Sequence, residues 1–141
     1  MTQMIFINLP VSDVQASTAF YEALGAKKNA VFSNETSSSM VISDTITVML
    51  LSHERWHDFT PKQIPDAKRS AQVLLCLSMD SPEACDAAVA NAEKAGGTAD
   101  PTPKQDHGFM YGRSYEDPDG HIWEVMWMDM AAMQKAMAAQ A

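Results

Sequence analysis

The chain has 141 residues, 46% of them hydrophobic, which is enough to bury a core in one compact domain or two small similar units and argues against disorder. Ten basic and 18 acidic residues give a net charge of -8, which argues against nucleic acid or an anionic membrane as partner, because both select basic surfaces. With two cysteines and no apolar run long enough to span a bilayer, we expect reduced thiols and a soluble cytoplasmic protein.

The chain begins with the pattern of a strand followed by a helix. Residues 4–11 are apolar and partly β-branched, which predicts a strand, and Pro10 favours a sheet edge or a strand end. Ser12 and Asp13 offer helix N-cap chemistry. The apolar spacing over residues 14–24 then predicts a helix, which Gly25 ends.

A hairpin is predicted next. Residues 30–33 indicate a weak strand and residues 34–39 a polar loop. Two short strands, residues 40–42 and 46–51, flank the turn residues Ser43, Asp44 and Thr45.

The segment His53-Glu54-Arg55-Trp56-His57 matches the H-E-x-x-H pattern of zinc proteases. That mechanism requires a sustained helix, whereas a strand precedes this segment and Pro61 soon follows it. We therefore predict one or two turns of helix capped by Ser52 at the rim of a site, where Trp56 or Phe59 covers apolar surface. Whether His53 and His57 bind metal stays open.

The second half repeats the order of the first. A strand over residues 73–79 leads to an Ala-rich helix that begins at Asp80-Ser81-Pro82, covers residues 83–95 and ends at the glycines 96–97. A short strand over residues 98–102 and a loop over residues 106–108 follow. The last two strands, residues 109–115 and 121–128, form a hairpin. Residues 130–141 suit a C-terminal helix capped by Asp129, or a fraying tail.

Each half therefore reads βαβββ, and Asp13 corresponds to Asp80 and Gly25 to Gly96. We predict an α+β fold of two βαβββ modules in a single domain, residues 1–129. Module one covers about residues 1–60, a linker about 61–70 and module two about 71–129, with residues 130–141 as the C-terminal helix or tail.

The last hairpin contains one carboxylate in apolar surroundings. Asp117-Pro118-Asp119-Gly120 is a turn sequence, and the strand after it places Glu124 and Met126 on one face, with Trp123 and Trp127 on the other. Because an unpaired buried carboxylate is costly, Glu124 either faces a wet cavity or pairs with a base such as Arg113.

These motifs together resemble the vicinal oxygen chelate superfamily, which includes glyoxalase I, bleomycin-resistance proteins and extradiol dioxygenases. The resemblance covers nearly the whole chain and depends on the order of Asn8-Leu9-Pro10-Val11-Ser12-Asp13, Ser17-Thr18-Ala19-Phe20-Tyr21, Leu24-Gly25, Gly112-Arg113, Asp117-Pro118-Asp119-Gly120 and Trp123-Glu124. It implies a curved mixed sheet around a cup that holds a divalent metal or a small ligand, and it implies homodimers.

The resemblance also implies where metal ligands would lie in this chain. The expected position on the first strand is Phe6, and that on the last strand of module one lies in the run Met49 to Leu51. On the first strand of module two it is Leu74, with Gln72 as the nearest polar residue. Only the fourth position, Glu124, has a side chain that can bind a metal. A stable site needs several converging N, O or S ligands, so we expect no metal and no other cofactor.

The function expected from the resemblance is binding of a small organic molecule in an apolar cup, either without catalysis or with Glu124 as a base that acts without metal. The predicted pocket residues are Phe6, Asn8, Met49, Trp56, Leu74, His107, Phe109, Tyr111, Arg113 and Met126. The alternatives are a metal-dependent lyase or isomerase similar to glyoxalase I, and a non-catalytic interaction protein. A solvated loop position is the other interpretation of His107.

Overall fold

A computed structural model describes residues 2–140, which form two compact units that divide after Ser70, at the end of the predicted linker. We call them module one and module two. Each contains a mixed sheet and a long helix, and the strand and helix order confirms the α+β class with two βαβββ modules.

Module one contains a four-stranded sheet in the order β1-β4-β3-β2. Its elements are β1 (Ile5–Val11), α1 (Val14–Ala23), β2 (Lys27–Lys28), a 3-10 turn (Ala30–Phe32), β3 (Ser37–Val41), β4 (Ile46–Ser52) and α2 (His53–Trp56). Strands β1 and β4 are parallel, and the other pairs are antiparallel. Strand β1 lies at one edge of this sheet, as Pro10 predicted.

Helix α1 packs on one face of this sheet. Leu9, Val48 and Leu50 are buried on that face, where Thr18 of α1 donates to the Ser38 hydroxyl at 2.8 Å. Alternation along the strands places Phe6, Asn8 and Met49 on the opposite face, which we call the open face of module one.

Two predictions in this module were wrong. The predicted strand at residues 30–33 is instead a 3-10 turn, Ala30–Phe32, because the Asn29 side chain accepts from the backbone N–H of Val31 and caps it, as is typical of Asn. The predicted loop 34–39 supplies most of β3: Ser37, Ser38 and Ser39 are buried strand residues. Serine is a weak strand former, but pairing with β4 determines the conformation here.

Module two contains a five-stranded sheet in which β5, β9, β8 and β6 follow one another and β7 also pairs with β8. Its elements are β5 (Leu75–Ser78), α3 (Pro82–Lys94), β6 (Thr98–Ala99), β7 (Gln105–Asp106), β8 (Met110–Glu116), β9 (Ile122–Met128) and α4 (Met130–Ala139). The predicted loop at residues 106–108 thus begins in the short strand β7. Asp129 caps α4, as predicted.

Helix α3 packs on the face of the second sheet that carries Tyr111, Tyr115, Trp123 and Val125. Glu124 and Met126 lie on the other face, the open face of module two. The predicted partition of the last strand is therefore confirmed.

The two long helices end in the same way. In α1 the N–H of Gly25 donates to Glu22 and the N–H of Ala26 to Tyr21; in α3 the N–H of Gly96 donates to Glu93 and the N–H of Gly97 to Ala92. Gly25 and Gly96 have φ values of 101° and 103°, which L side chains rarely adopt. Both ends are Schellman motifs.

The helix starts match less closely. Asp13 accepts from Ala16 N at the start of α1, whereas Ser81 accepts from Ala84 N at the start of α3. The structural equivalent of Asp13 is therefore Ser81 rather than Asp80.

Candidate functional site

A pocket of about 690 Å³ lies on the open face of module one. Its walls are largely apolar, and its volume is in the range of small-molecule sites. The lining residues are Met4, Phe6, Asn8, Asn29, Phe32, Ser39, Val41, Ser43, Asp44, Thr47, Met49 and Phe59.

Strand pairing arranges the floor of the pocket in two rows. Asn8, Met49 and Ser39 form one row across β1, β4 and β3. Phe6, Thr47 and Val41 form the next row. Side chains of directly paired residues lie on the same face of a sheet, so both rows face the pocket.

Three phenylalanines surround this floor. Phe6 is 58% exposed, Phe32 68% and Phe59 54%, although each is large and apolar. Phe59 follows α2, and the Arg55 guanidinium lies 5.2 Å from the centre of its ring. Asp58 binds the same guanidinium at 2.7 Å. Exposed aromatic side chains grouped around a cavity indicate a binding surface.

The floor also contains polar side chains without partners. The side chains of Asn8, Ser39 and Thr47 form no hydrogen bond within residues 2–140. Ser39 and Thr47 are each only 4% exposed. The hydroxyls of Ser39 and Thr47 are not among the buried atoms that lack a partner, because they open into the pocket, where they are suited to bind a polar part of a ligand.

Three of the predicted pocket residues come together here, namely Phe6, Asn8 and Met49. Trp56 does not line this pocket; it lies in α2, half-buried, and its indole N–H is buried without a partner within residues 2–140. Leu74 precedes β5 and is 50% exposed.

Tyr111 and Arg113 lie on the helix-facing side of the second sheet, opposite Glu124. Tyr111 Oη donates to Asp86 of α3, and Arg113 binds Asp86 at 3.0 Å and Asp100 at 2.7 Å. Of the alternatives for Glu124, the pair with Arg113 is therefore wrong: the two residues are in adjacent strands with opposite parity, since Arg113 pairs with Val125.

Glu124 is half-buried on the open face of module two, with Met126 two residues further along β9. Its neighbours in register are Ser114 and Cys76. Within residues 2–140 its carboxylate forms no hydrogen bond or ion pair. Partial burial, and secondly the Glu124 carboxylate, raise the pKa of the Cys76 thiol, so this thiol is a weak nucleophile near neutral pH.

Three of the four histidines are surface residues, namely His53, His57 and His107. His107 is exposed, and its Nε2 is 3.0 Å from Gln105 Oε1; Phe109 beside it is 43% exposed. His53 and His57 are exposed too, and α2 is only four residues long with Ser52 as its cap, as predicted. This helix is too short for the sustained helix of a zinc protease site.

The donor set does not fit the metal that the fold implies. Among the described residues, no three His, Cys, Asp or Glu side chains are grouped so as to hold an ion. Three of the four positions expected from the resemblance fall at Phe6, in the run Met49 to Leu51, and at Leu74, and the fourth is Glu124. None of these apolar residues is an ordinary ligand for zinc or calcium.

The sequence did not reveal several residues that line the pocket. Phe32 was not assigned to the pocket because residues 30–33 were predicted as a strand, and Ser39 was not assigned because residues 34–39 were predicted as a loop. Thr47 was recoverable, because it shares the parity of Met49 in β4.

Acid is expected to destabilise module two through Asp86. The hydrogen bond from Tyr111, followed by that from Arg113, lowers the pKa of Asp86, and Arg113 lowers the pKa of Asp100. Because the pKa values of these two carboxyl groups are lower in the folded than in the unfolded state, their ionised forms stabilise the folded state above about pH 4. This stabilisation is lost as the pH falls further.

The measurement is the urea midpoint between about pH 6 and about pH 3. Asp86→Asn should lose less stability over this range than the unmodified protein, whereas the exposed Asp80→Asn should behave like the unmodified protein. An equal loss for Asp86→Asn and the unmodified protein would show that Asp86 contributes nothing.

No helix within residues 2–140 has the length and apolar character needed to cross a bilayer.

Comparison with solved structures gives close matches in fold. A hypothetical protein from S. aureus is 25% identical with a TM-score of 0.75, covering 90% of this chain and 94% of that one. A glyoxalase/bleomycin resistance protein/dioxygenase family enzyme from Burkholderia phytofirmans is 19% identical with a TM-score of 0.72, covering 90% and 99%.

A genomically encoded fosfomycin resistance protein from Listeria monocytogenes is 17% identical with a TM-score of 0.64, covering 90% of this chain and 91% of that one. No curated protein matches the chain. The family model of the Glyoxalase/Bleomycin resistance protein/Dioxygenase superfamily matches residues 3–125. The chain therefore belongs to the glyoxalase/bleomycin resistance protein/dioxygenase superfamily.

Proposed function

We propose that this protein binds a small organic molecule in the pocket on the open face of module one. The observation that supports it is the cavity of about 690 Å³, whose largely apolar lining includes polar side chains without a partner within residues 2–140. Binding sites for small molecules combine these features. A homodimer and a cytoplasmic location, both expected from the sequence, belong to the same proposal.

We further propose that no metal takes part, because Phe6, Met49 and Leu74 replace the expected ligands. The alternative is a metal-dependent lyase or isomerase similar to glyoxalase I. Elemental analysis of untagged protein, together with a hemithioacetal isomerisation assay, separates the two. We expect less than stoichiometric metal and no isomerisation; stoichiometric zinc, nickel or iron would favour the lyase.

Glu124 is the proposed base if the bound molecule is also converted. Its carboxylate is half-buried and forms no ion pair within residues 2–140, so it is available to accept a proton next to a carbonyl group. Glu124→Gln keeps the shape and removes the base. Unchanged turnover in this variant would exclude the role.

The pocket itself is tested with a variant that fills it. Asn8 is exposed on the edge strand β1, so Asn8→Trp can occupy the pocket without entering the core. Compounds from a small-molecule panel, bleomycin and fosfomycin included, that raise the Tm of the unmodified protein should bind this variant at least about tenfold more weakly.

The matched control is Asn91→Trp, which adds the same side chain to an exposed position of α3. It should bind each compound like the unmodified protein. If every compound bound Asn8→Trp and the unmodified protein equally, the site would lie elsewhere. If no compound bound at all, an interaction protein would be the better interpretation.

A further inference from the structure

We infer that the module-one pocket takes an uncharged, planar aromatic molecule with an amide-type edge, meaning an adjacent N–H and C=O. This inference rests on the proposed function, since it names the class of ligand for the same pocket. Three properties of the pocket lead to it: the arrangement of the phenylalanines, the unpartnered polar groups of the floor, and the charge of the lining.

The phenylalanines favour a flat aromatic ligand. Phe6, Phe32 and Phe59 come from β1, the 3-10 turn and the segment after α2, so they approach the pocket from three separate parts of module one. Each is more than half exposed. Aromatic rings prefer offset-stacked or edge-to-face partners, and a planar ring system would satisfy all three.

The polar groups favour a ligand edge with both a donor and an acceptor. The Asn8 carboxamide can donate and accept, and so can the hydroxyls of Ser39 and Thr47. Asn8 and Ser39 flank Met49 in one row, and Thr47 occupies the next. Because these three side chains have no hydrogen-bond partner within residues 2–140, a cyclic amide could satisfy them without introducing charge.

The charge of the lining disfavours ions. Its single charged residue is Asp44, an exposed carboxylate in the hairpin turn, which would repel an anion and, being solvated, attract a cation only weakly. Lys27 lies on the same face as its register partner Val41 but outside the lining, and the guanidinium of Arg55 is bound by Asp58. The net charge of -8 further opposes anions.

The test uses four compounds with one ring system. Phenanthridinone is a neutral cyclic amide, phenanthridine lacks the amide, phenanthridine carboxylate is an anion and N-methylphenanthridinium is a cation. Titration calorimetry or ligand fluorescence on the full chain should give phenanthridinone the tightest binding, by at least about tenfold over either ion. Tighter binding of the anion or of the cation would overturn the inference.

Variants identify the groups that recognise the ligand. Asn8→Ala should weaken the binding of phenanthridinone about three- to tenfold and leave the binding of phenanthridine unchanged, because the substitution removes hydrogen bonds only. Phe32→Ala should weaken both compounds. The matched controls Asn91→Ala and Val31→Ala remove exposed side chains outside the lining and should change neither.

Failure of the inference and failure of the proposed function are distinguishable. If panel compounds bind in a manner that Asn8→Trp prevents, but phenanthridinone does not exceed phenanthridine, the pocket stands and the amide-type ligand is wrong. If every compound of the panel and of this series binds Asn8→Trp as tightly as the unmodified protein, both the inference and the proposed function are wrong.

Discussion

Replacing Trp123 by alanine is expected to lower the free energy of unfolding by about 3–5 kcal/mol, the range for large aromatic residues removed from a core. Trp123 is 1% exposed and is the largest fully buried side chain among the described residues. It lies between its register partners Leu75 and Tyr115, on the face that α3 covers. The loss would equal a large fraction of the stability of an ordinary domain.

Urea denaturation followed by far-UV circular dichroism measures this loss without depending on tryptophan fluorescence. Trp123→Phe should cost less than Trp123→Ala, because it leaves a smaller cavity. Phe109→Ala is the control, since Phe109 is 43% exposed and its removal should cost less than about 1 kcal/mol. A loss for Trp123→Ala no larger than this control would show that the core of module two does not depend on Trp123.

Asp117→Ala is expected to lower the free energy of unfolding by about 2–4 kcal/mol, because it removes two hydrogen bonds to a buried charged acceptor. Asp117 is 3% exposed, and its Oδ1 accepts from the N–H of Asp119 at 3.0 Å and of His121 at 2.9 Å. The N–H of Gly120 donates to the Asp117 carbonyl and closes the turn. The N–H groups of Asp119 and His121 would lose this acceptor in a partly buried turn.

Asp117→Asn keeps an acceptor oxygen and should lose less stability than Asp117→Ala in the same urea measurement. Asp80→Ala is the matched control: Asp80 is an exposed aspartate that forms no side-chain hydrogen bond within residues 2–140. Equal midpoints for Asp117→Ala and Asp80→Ala would contradict a structural role for Asp117.

The module order could be predicted because it depends on local signals. Gly25 and Gly96 mark helix ends that require positive φ, Pro10 marks an edge strand, and Ser52 a helix cap. Such signals are readable in single residues. The strand at Ser37–Val41 was missed because pairing with β4, which is a tertiary effect, overrides the weak strand preference of serine.

The candidate site was predictable only in part. Phe6, Asn8 and Met49 follow from strand parity, and the structure brings them together. Tyr111 and Arg113 were also predicted to line the pocket, but their parity and the acids Asp86 and Asp100 place them on the face that helix α3 covers. Which face of a strand a helix covers depends on packing, and a single sequence does not state it.

The matching Schellman motifs have a consequence for how the two halves diverged. Gly25 and Gly96 remain equivalent because the backbone conformation at these helix ends permits few other residues. The strands of module one and the corresponding strands of module two, in contrast, have almost no residues in common. Backbone geometry therefore restricts change at the helix ends and leaves the open faces free to specialise. One half now holds an aromatic pocket, and the other a half-buried carboxylate, Glu124, that forms no ion pair within residues 2–140.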